Sequence, residues 1–338
     1  MTALRKRSRP YSGGMTSPSP RRVGVMLPRD LPLDELTEFA RRSERLGFDE
    51  VWVVEDLGFR GGIAQAAVVL AATSEITVGI GILPAGARNV VFAAMEITTL
   101  ARLFPGRLTV GIGHGMPDWM AQAGAWPKSP LTLLKEYTVA LRALLRGDNP
   151  PAGGRYVDVS GVRLEERPTE LPPVVLGVRG PRSLAAAGAV SDGVVLAEPS
   201  APGYIVDALR RVTAERTAQT DPLVITYDVA AVADDPSVAF DRVRPGLAWI
   251  GEPDWRVHIA PLDFADELAA LRAECASPAE FGTRLPDAWV AELSLAGTPD
   301  QVRTRIAARH EAGATTVVLA PVGADRLGAL DDLARVLR

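Results

Sequence analysis

Short apolar runs alternate with amphipathic stretches along nearly the whole chain. RVGVML (22–27) predicts a strand. LDELTEFARRSERLG (33–47) predicts a helix, because Leu33, Leu36, Phe39, Ala40 and Leu46 fall near helical spacing and Gly47 closes the segment. EVWVVE (50–55) predicts a second strand, and GIAQAAVVLAATS (62–74) a helix with no polar face, hence a buried one. ITVGIGIL (76–83), VVFAAMEITTLARLFPG (90–106) and RLTVGIG (107–113) continue as strand, helix and strand. SPLTLLKEYTVALRALLRG (129–147) predicts a helix with Ser129 as its cap, Pro130 in its first turn and Gly147 as its stop. RYVDVSGVRLE (155–165) alternates like a small hairpin around Ser160–Gly161. The rhythm then resumes with strands at 173–178, 192–197, 223–233 and 315–322, and helices at 181–189, 202–219, 298–313 and 326–337.

Eight apolar strands, mostly each followed by a helix, describe a (β/α)8 TIM barrel within the α/β class. The strand runs are continuous rather than alternating, as expected where both faces are buried. A doubly wound sheet is the competing architecture, but it would more naturally leave an appended domain, and no clean linker is visible. Residues 22–338 therefore read as one domain. The stretch from about 241 to 295 breaks the rhythm between strand seven and its helix; it holds Trp249, Trp255, His258 and Trp289 and reads as an insertion above the C-terminal face of the barrel.

Charge narrows the partners. The 338 residues carry 37 Lys and Arg against 41 Asp and Glu. Six of the basic residues lie within 1–22, where there is no acid; without them, 31 basic residues face 41 acidic ones. So acidic a body argues against nucleic-acid binding. The basic segment 1–21 reads as a disordered tail. No apolar region follows its arginines, so a secretory signal is not expected, and no apolar run is long enough to span a membrane. Cys275 is the lone cysteine and reads as a passive core thiol; its solitude fits a reducing cytoplasm.

No GxxxxGK(S/T), GxSxG, HExxH or CxxC motif occurs, and the three histidines lack companions at ligand spacing, so no metal site is expected. In a barrel the chemistry comes from the strand ends and the loops after them. Those ends offer Pro28–Arg29–Asp30, the adjacent acids Glu55 and Asp56, the pair Arg88–Asn89, GIGHG (111–115) with His114 between glycines, GVRGPRS (177–183), and Glu198. Asp56 or its neighbour can face the mouth as an acid or base. His114 can donate to a ligand or shuttle a proton. Trp119 and Trp126 can wall a flat pocket or merely pack a loop. Gly79 and Gly81 alternate within strand three, and such glycines mark a bulge or a close approach, here expected to admit a broad aromatic ligand across the mouth. GVRGPRS before a small-residue helix reads as an anion site: free N–H groups, the helix dipole, and the guanidinium groups of Arg179 and Arg182.

Taken together, FDEVWVVED, ITVGIGILPAGARN, GRLTVGIGHG and GVRGPRSLAAAGAVSDGVVL resemble the bacterial-luciferase-like superfamily over residues 22–335, most closely its branch of coenzyme F420-dependent oxidoreductases. The resemblance implies a (β/α)8 barrel with an insertion near strand seven and a flavin or deazaflavin at the C-terminal mouth. It implies a bulge with a non-prolyl cis peptide at Gly81–Ile82, and a cofactor phosphate held by Gly177, Val178, Arg179 and Gly180 with Arg182 and Ser183. Glu55, Gly113 and Glu198 complete the expected cofactor contacts. The chain departs from the pattern in two places: Asp56 stands where many of these enzymes have a histidine, and Met116 where some have a glutamate. Asp56 and His114 are accordingly the candidate catalytic groups. The implied activity is hydride transfer between reduced F420 and an organic small molecule. An FMN-dependent monooxygenase is the second reading and a non-catalytic flavin-binding protein the third. Pairing as a homodimer is also implied.

Overall fold

The computed structural model describes residues 21–338, so the tail expected at 1–21 lies outside the described residues except for Arg21. Nine strands form one sheet: β1 (Arg22–Met26), β2 (Glu50–Val53), β3 (Thr77–Pro84), β4 (Leu108–Gly113), β5 (Val174–Gly177), β6 (Gly193–Leu196), β7 (Leu223–Val232), β8 (Leu295–Gly297) and β9 (Thr316–Pro321). All of the pairings are parallel, and the sheet closes because β9 pairs with both β1 and β7 while β7 pairs with β6. The result is the (β/α)8 barrel that the alternation of runs predicts. The strand expected as the eighth is β9; β8 is an extra three-residue strand that lengthens the C-terminal end of β7, with Ala230 opposite Leu295.

The outer ring contains α1 (Leu36–Leu46), α2 (Gly62–Ala72), α3 (Val90–Leu103), α4 (Pro117–Gln122), α5 (Pro130–Arg146), α6 (Pro181–Val190) and α7 (Pro202–Ala214). Then follow α8 (Pro236–Val243), α9 (Arg256–Ile259), α10 (Ala265–Glu274), α11 (Pro278–Arg284) and α12 (Asp287–Leu293), which with two short 3-10 turns make the insertion between β7 and β8. The ring closes with α13 (Pro299–Glu311) and α14 (Arg326–Ala334). Gly47 and Gly147 end α1 and α5 in the left-handed conformation, as expected. Ser129 does not cap α5; its hydroxyl meets that of Thr132 at 2.8 Å instead. The hairpin expected at 155–165 does not form. A turn does occur at Ser160–Gly161, but the Glu136 carboxylate on α5 accepts the backbone N–H groups of Arg155, Tyr156 and Val157, which removes donors that a ladder would need.

Three apolar clusters divide the interior. The largest fills the layer between barrel and helices, a second consolidates the insertion around Phe281, Leu247 and Val290, and a third lies inside the barrel. In that third cluster Trp52 lies edge-on to Tyr227, ring centroids 5.7 Å apart, and its indole N–H donates to Glu50 at 2.7 Å. Trp52 explains Gly79, and Tyr227 explains Gly81. A side chain at Gly79 would run into the Trp52 ring, and one at Gly81 into the Tyr227 hydroxyl. The aromatic group that these glycines admit is thus the chain's own, not the ligand expected from the sequence.

Candidate active site

The C-terminal mouth of the barrel is built by the strand ends. Between Ile80 and Leu83 the register of β3 against β4 shifts, and the Gly81–Ile82 peptide is cis, as the resemblance implies. Both residues are half-buried at this bulge. The Ile82 side chain lies across β4 and β5, where a side chain at Gly111, Gly113 or Gly177 would collide with it. The glycines of GIG on β4 and of Gly177 on β5 therefore have a packing reason: they leave room for the Ile82 side chain.

The two acids after β2 are both ion-paired. Arg88 grips Glu55 with two N–H groups at 2.9 and 3.0 Å, and the same carboxylate accepts the Gly62 N–H at 2.7 Å, anchoring the start of α2. Arg29 donates to Asp56 at 2.8 Å and stacks over Phe59 with 4.9 Å to the ring centroid. The strand-end arginines noted in the sequence thus serve the strand-end acids.

The β5–α6 turn is the segment where the sequence predicts an anion site. Gly180 precedes α6 with no side chain capping it, and the space where its side chain would stand is open. Arg182 is exposed on the first turn and has no ion-pair partner among the described residues. Ser183 beside it meets His114 Nε2 at 3.1 Å. The structure therefore brings His114 to the anion turn. Burial holds its imidazole below its ordinary pKa, the Pro130 carbonyl working against that, so the ring is neutral near pH 7.

Arg179 takes a different direction from Arg182. Its guanidinium lies 5.2 Å from the Trp255 ring centroid, donates to the Asp254 carbonyl at 3.3 Å and reaches Met116 Sδ at 3.4 Å. It joins the β5–α6 turn to the insertion and to the loop after β4. Trp255 in turn donates to the Glu198 carbonyl at 3.2 Å, and His258 sits against the Pro199 carbonyl at 3.2 Å and the Tyr204 ring at 4.3 Å. Trp255 and His258 thus hold the insertion on the end of β6. Trp249 is exposed and Trp289 stacks on Phe264 within the insertion, so neither belongs to this contact. Trp119 is half-buried on α4 and Trp126 is exposed beyond it.

Below the rim, Asp228 and Arg309 form a wholly buried fork of 2.8 and 3.1 Å, and Asp228 also accepts the Ser200 N–H at 3.0 Å. This network ties the segment after β6 to β7 and α13. Sequence reasoning passed over Asp228, Tyr227 and Tyr204. The one available signal was the polar pair Tyr227–Asp228 inside an otherwise apolar strand.

Among the described residues no group of three or more His, Cys, Asp or Glu is placed to hold a metal ion. No helix among them is long and apolar enough to cross a membrane.

What the fold and the mouth define together is a class: the (β/α)8-barrel enzymes that keep their chemistry at the C-terminal rim. Within that class the chain belongs to the luciferase-like monooxygenase family, whose model matches residues 13–316. It is 28% identical over 305 residues to the 5,10-methylenetetrahydromethanopterin reductase of Methanolobus tindarius, covering 87% of this chain and 93% of that one. Among solved structures, the coenzyme F420-dependent tetrahydromethanopterin reductase of Methanopyrus kandleri superposes with a TM-score of 0.78 at 22% identity, over 93% of this chain and 97% of that one. An F420-dependent secondary alcohol dehydrogenase, in complex with an F420–acetone adduct, superposes with a TM-score of 0.74 at 20% identity, over 94% and 98%. At these identities the two structures show a shared fold.

Proposed function

We propose that the protein is an oxidoreductase that passes a hydride between coenzyme F420 and a small organic substrate whose oxidised form carries a C=O or C=N bond. The observation that carries the reading is the uncapped start of α6 with Arg182 and Ser183 at the rim, beside the bulge at Gly81–Ile82. A phosphate fits there: the helix terminus offers N–H groups and positive potential, Arg182 offers a guanidinium with no ion-pair partner among the described residues, and open space lies at Gly180. The Gly81–Ile82 bulge offers a half-buried apolar surface against which a ring system could lie. When bound, the deazaflavin supplies the hydride. The chain's residues hold it, and the insertion latched by Arg179, Trp255 and His258 keeps water from the mouth. The relatives that reduce or dehydrogenate with F420 support this direction over others.

The same grip suits the phosphate of FMN, so reduced-flavin monooxygenation is the second reading. Titration of the purified protein with F420 and with FMN, followed by fluorescence, separates the two. F420 is expected to bind, and Arg182→Ala to weaken binding about tenfold, the worth of roughly one charge-assisted contact. Tight binding of FMN alone overturns the first reading. Binding without turnover across a panel of ketones, imines and alkenes supports the non-catalytic alternative. Unchanged affinity in the Arg182 variant moves the phosphate elsewhere.

A further inference from the structure

Two of the acids at this mouth are already ion-paired. Glu55 is held by Arg88 and by the start of α2, and Asp56 by Arg29. Asp228, just below, is held by Arg309 and the Ser200 N–H. His114 is bonded to Ser183 at the anion turn. Glu198 differs from all of these. It stands two residues beyond β6 and is half-buried, and among the described residues its carboxyl takes no ion pair and no side-chain hydrogen bond.

We propose that Glu198 is the acid of the site and carries the proton that accompanies hydride transfer, in place of Asp56 or His114. This rests on the hydride-transfer reading above. Hydride addition to the carbon of a C=O or C=N bond breaks the π bond and sends its electron pair to the heteroatom. Glu198 gives its carboxyl proton to that atom, becomes a carboxylate, and regains a proton from water when the mouth reopens. In the oxidative direction it accepts the proton from the alcohol or amine.

The surroundings favour a neutral carboxyl. Burial is the leading cause that lifts Glu198 above the ordinary carboxylate range, and the charges of Asp228 on β7 and Asp56 after β2 add to it. Arg179 opposes, but its guanidinium is turned to Trp255, Asp254 and Met116. From β7, Tyr227 contributes a buried hydroxyl with no hydrogen-bond partner among the described residues, pushed well above its usual pKa chiefly by burial, so it stays neutral. From the insertion, Trp255 and His258 bond to the Glu198 and Pro199 carbonyls and fix the segment without charging it. A carboxyl that keeps its proton where an ordinary glutamate has lost it is the form that can give one.

The test is infrared difference spectroscopy of the full chain between about pH 5 and pH 8, where an ordinary glutamate is fully ionised at the upper end. The wild type is expected to show a protonated-carboxyl band at pH values where an ordinary glutamate is ionised. Glu198→Gln should remove it, Asp56→Asn should leave it, and Glu198→Asp should keep a carboxyl band at a shifted frequency. A wild type that fails to bind F420 in a fluorescence titration overturns the hydride-transfer reading on which this one rests, whereas the carboxyl band tests Glu198 itself. With acetone or methylenetetrahydromethanopterin, whichever turns over, Glu198→Gln should lower kcat by about 100-fold with little change in KM. A band that persists in Glu198→Gln, a band lost in Asp56→Asn, or a kcat within about twofold of wild type overturns the assignment.

Discussion

His258 shows how one residue can hold the lid and set a condition on it. Its side chain is wholly buried, Nδ1 faces the Pro199 carbonyl and therefore carries the proton, and Nε2 has no partner. Burial, with the nearby Arg179 charge adding to it, pushes its pKa down to about 4. The unfolded chain titrates this group near 6.5, so between about 6.5 and 4 the unfolded state binds more protons. Stability must then fall as pH falls through that window, by roughly 3 kcal/mol once both states are below their pKa values. Denaturant unfolding at neutral pH and near pH 4.5 is expected to show this loss, and His258→Gln to remove much of it; an equal pH dependence in the variant would assign the loss elsewhere. Glu198 has the opposite sign. Its folded pKa is raised, so its cost is absent below the unfolded value of about 4.3 and grows as pH rises. Two residues on one contact, the lid and the strand end it covers, are thus tuned in opposite directions, both toward the neutral form.

At the scale of an element, β3 shows what a sequence pattern specifies and what it leaves open. Alternating glycines in an apolar run mark a strand with something close against it, and that much was legible. What approaches was not, because the partner sits on another strand: Trp52 belongs to β2 and Tyr227 to β7. Trp52 is fully buried and tied to Glu50, so it has little freedom to yield. Gly79→Ala is expected to cost about 1–3 kcal/mol by overpacking, read as a lower denaturation midpoint. In a Trp52→Leu background the same change should cost much less, and a cost that is simply additive would show that Trp52 is not the obstacle. The hairpin expected at 155–165 fails for a related reason. Its alternating valines do pack on the core, but whether two extended stretches pair depends on where their N–H groups go, and Glu136, some twenty residues earlier, takes them.

For the whole molecule, the barrel was readable because each strand and helix announces itself locally, and only the closing order needs three dimensions. The site was half readable. Strand-end acids, arginines and glycines could be named, since position after a strand places them at the rim. Their pairings could not, because Arg29–Asp56, Arg88–Glu55 and Arg179–Trp255 join residues from different repeats. The same repeat-by-repeat construction leaves one surface unexplained by the monomer. α2 has no polar face, yet its outer side is not covered: Val68 is 42% exposed, and on neighbouring α3 Phe92 is 64% and Met95 50% exposed. Adjacent apolar side chains of this size on a barrel's outer helices favour association. The homodimer implied by the family resemblance would cover them, and a two-fold pairing needs only one self-complementary patch of about 800 Å² per copy. Light scattering at micromolar concentration is expected to give twice the chain mass. Phe92→Glu should shift the protein toward monomer, because dimerisation would then bury a charge against its symmetry mate. Val206 on α7 is 54% exposed and outside this patch, so Val206→Glu should leave the dimer intact. A monomeric wild type, or a dimer broken by the Val206 change and not by the Phe92 change, would place the association on another face or remove it.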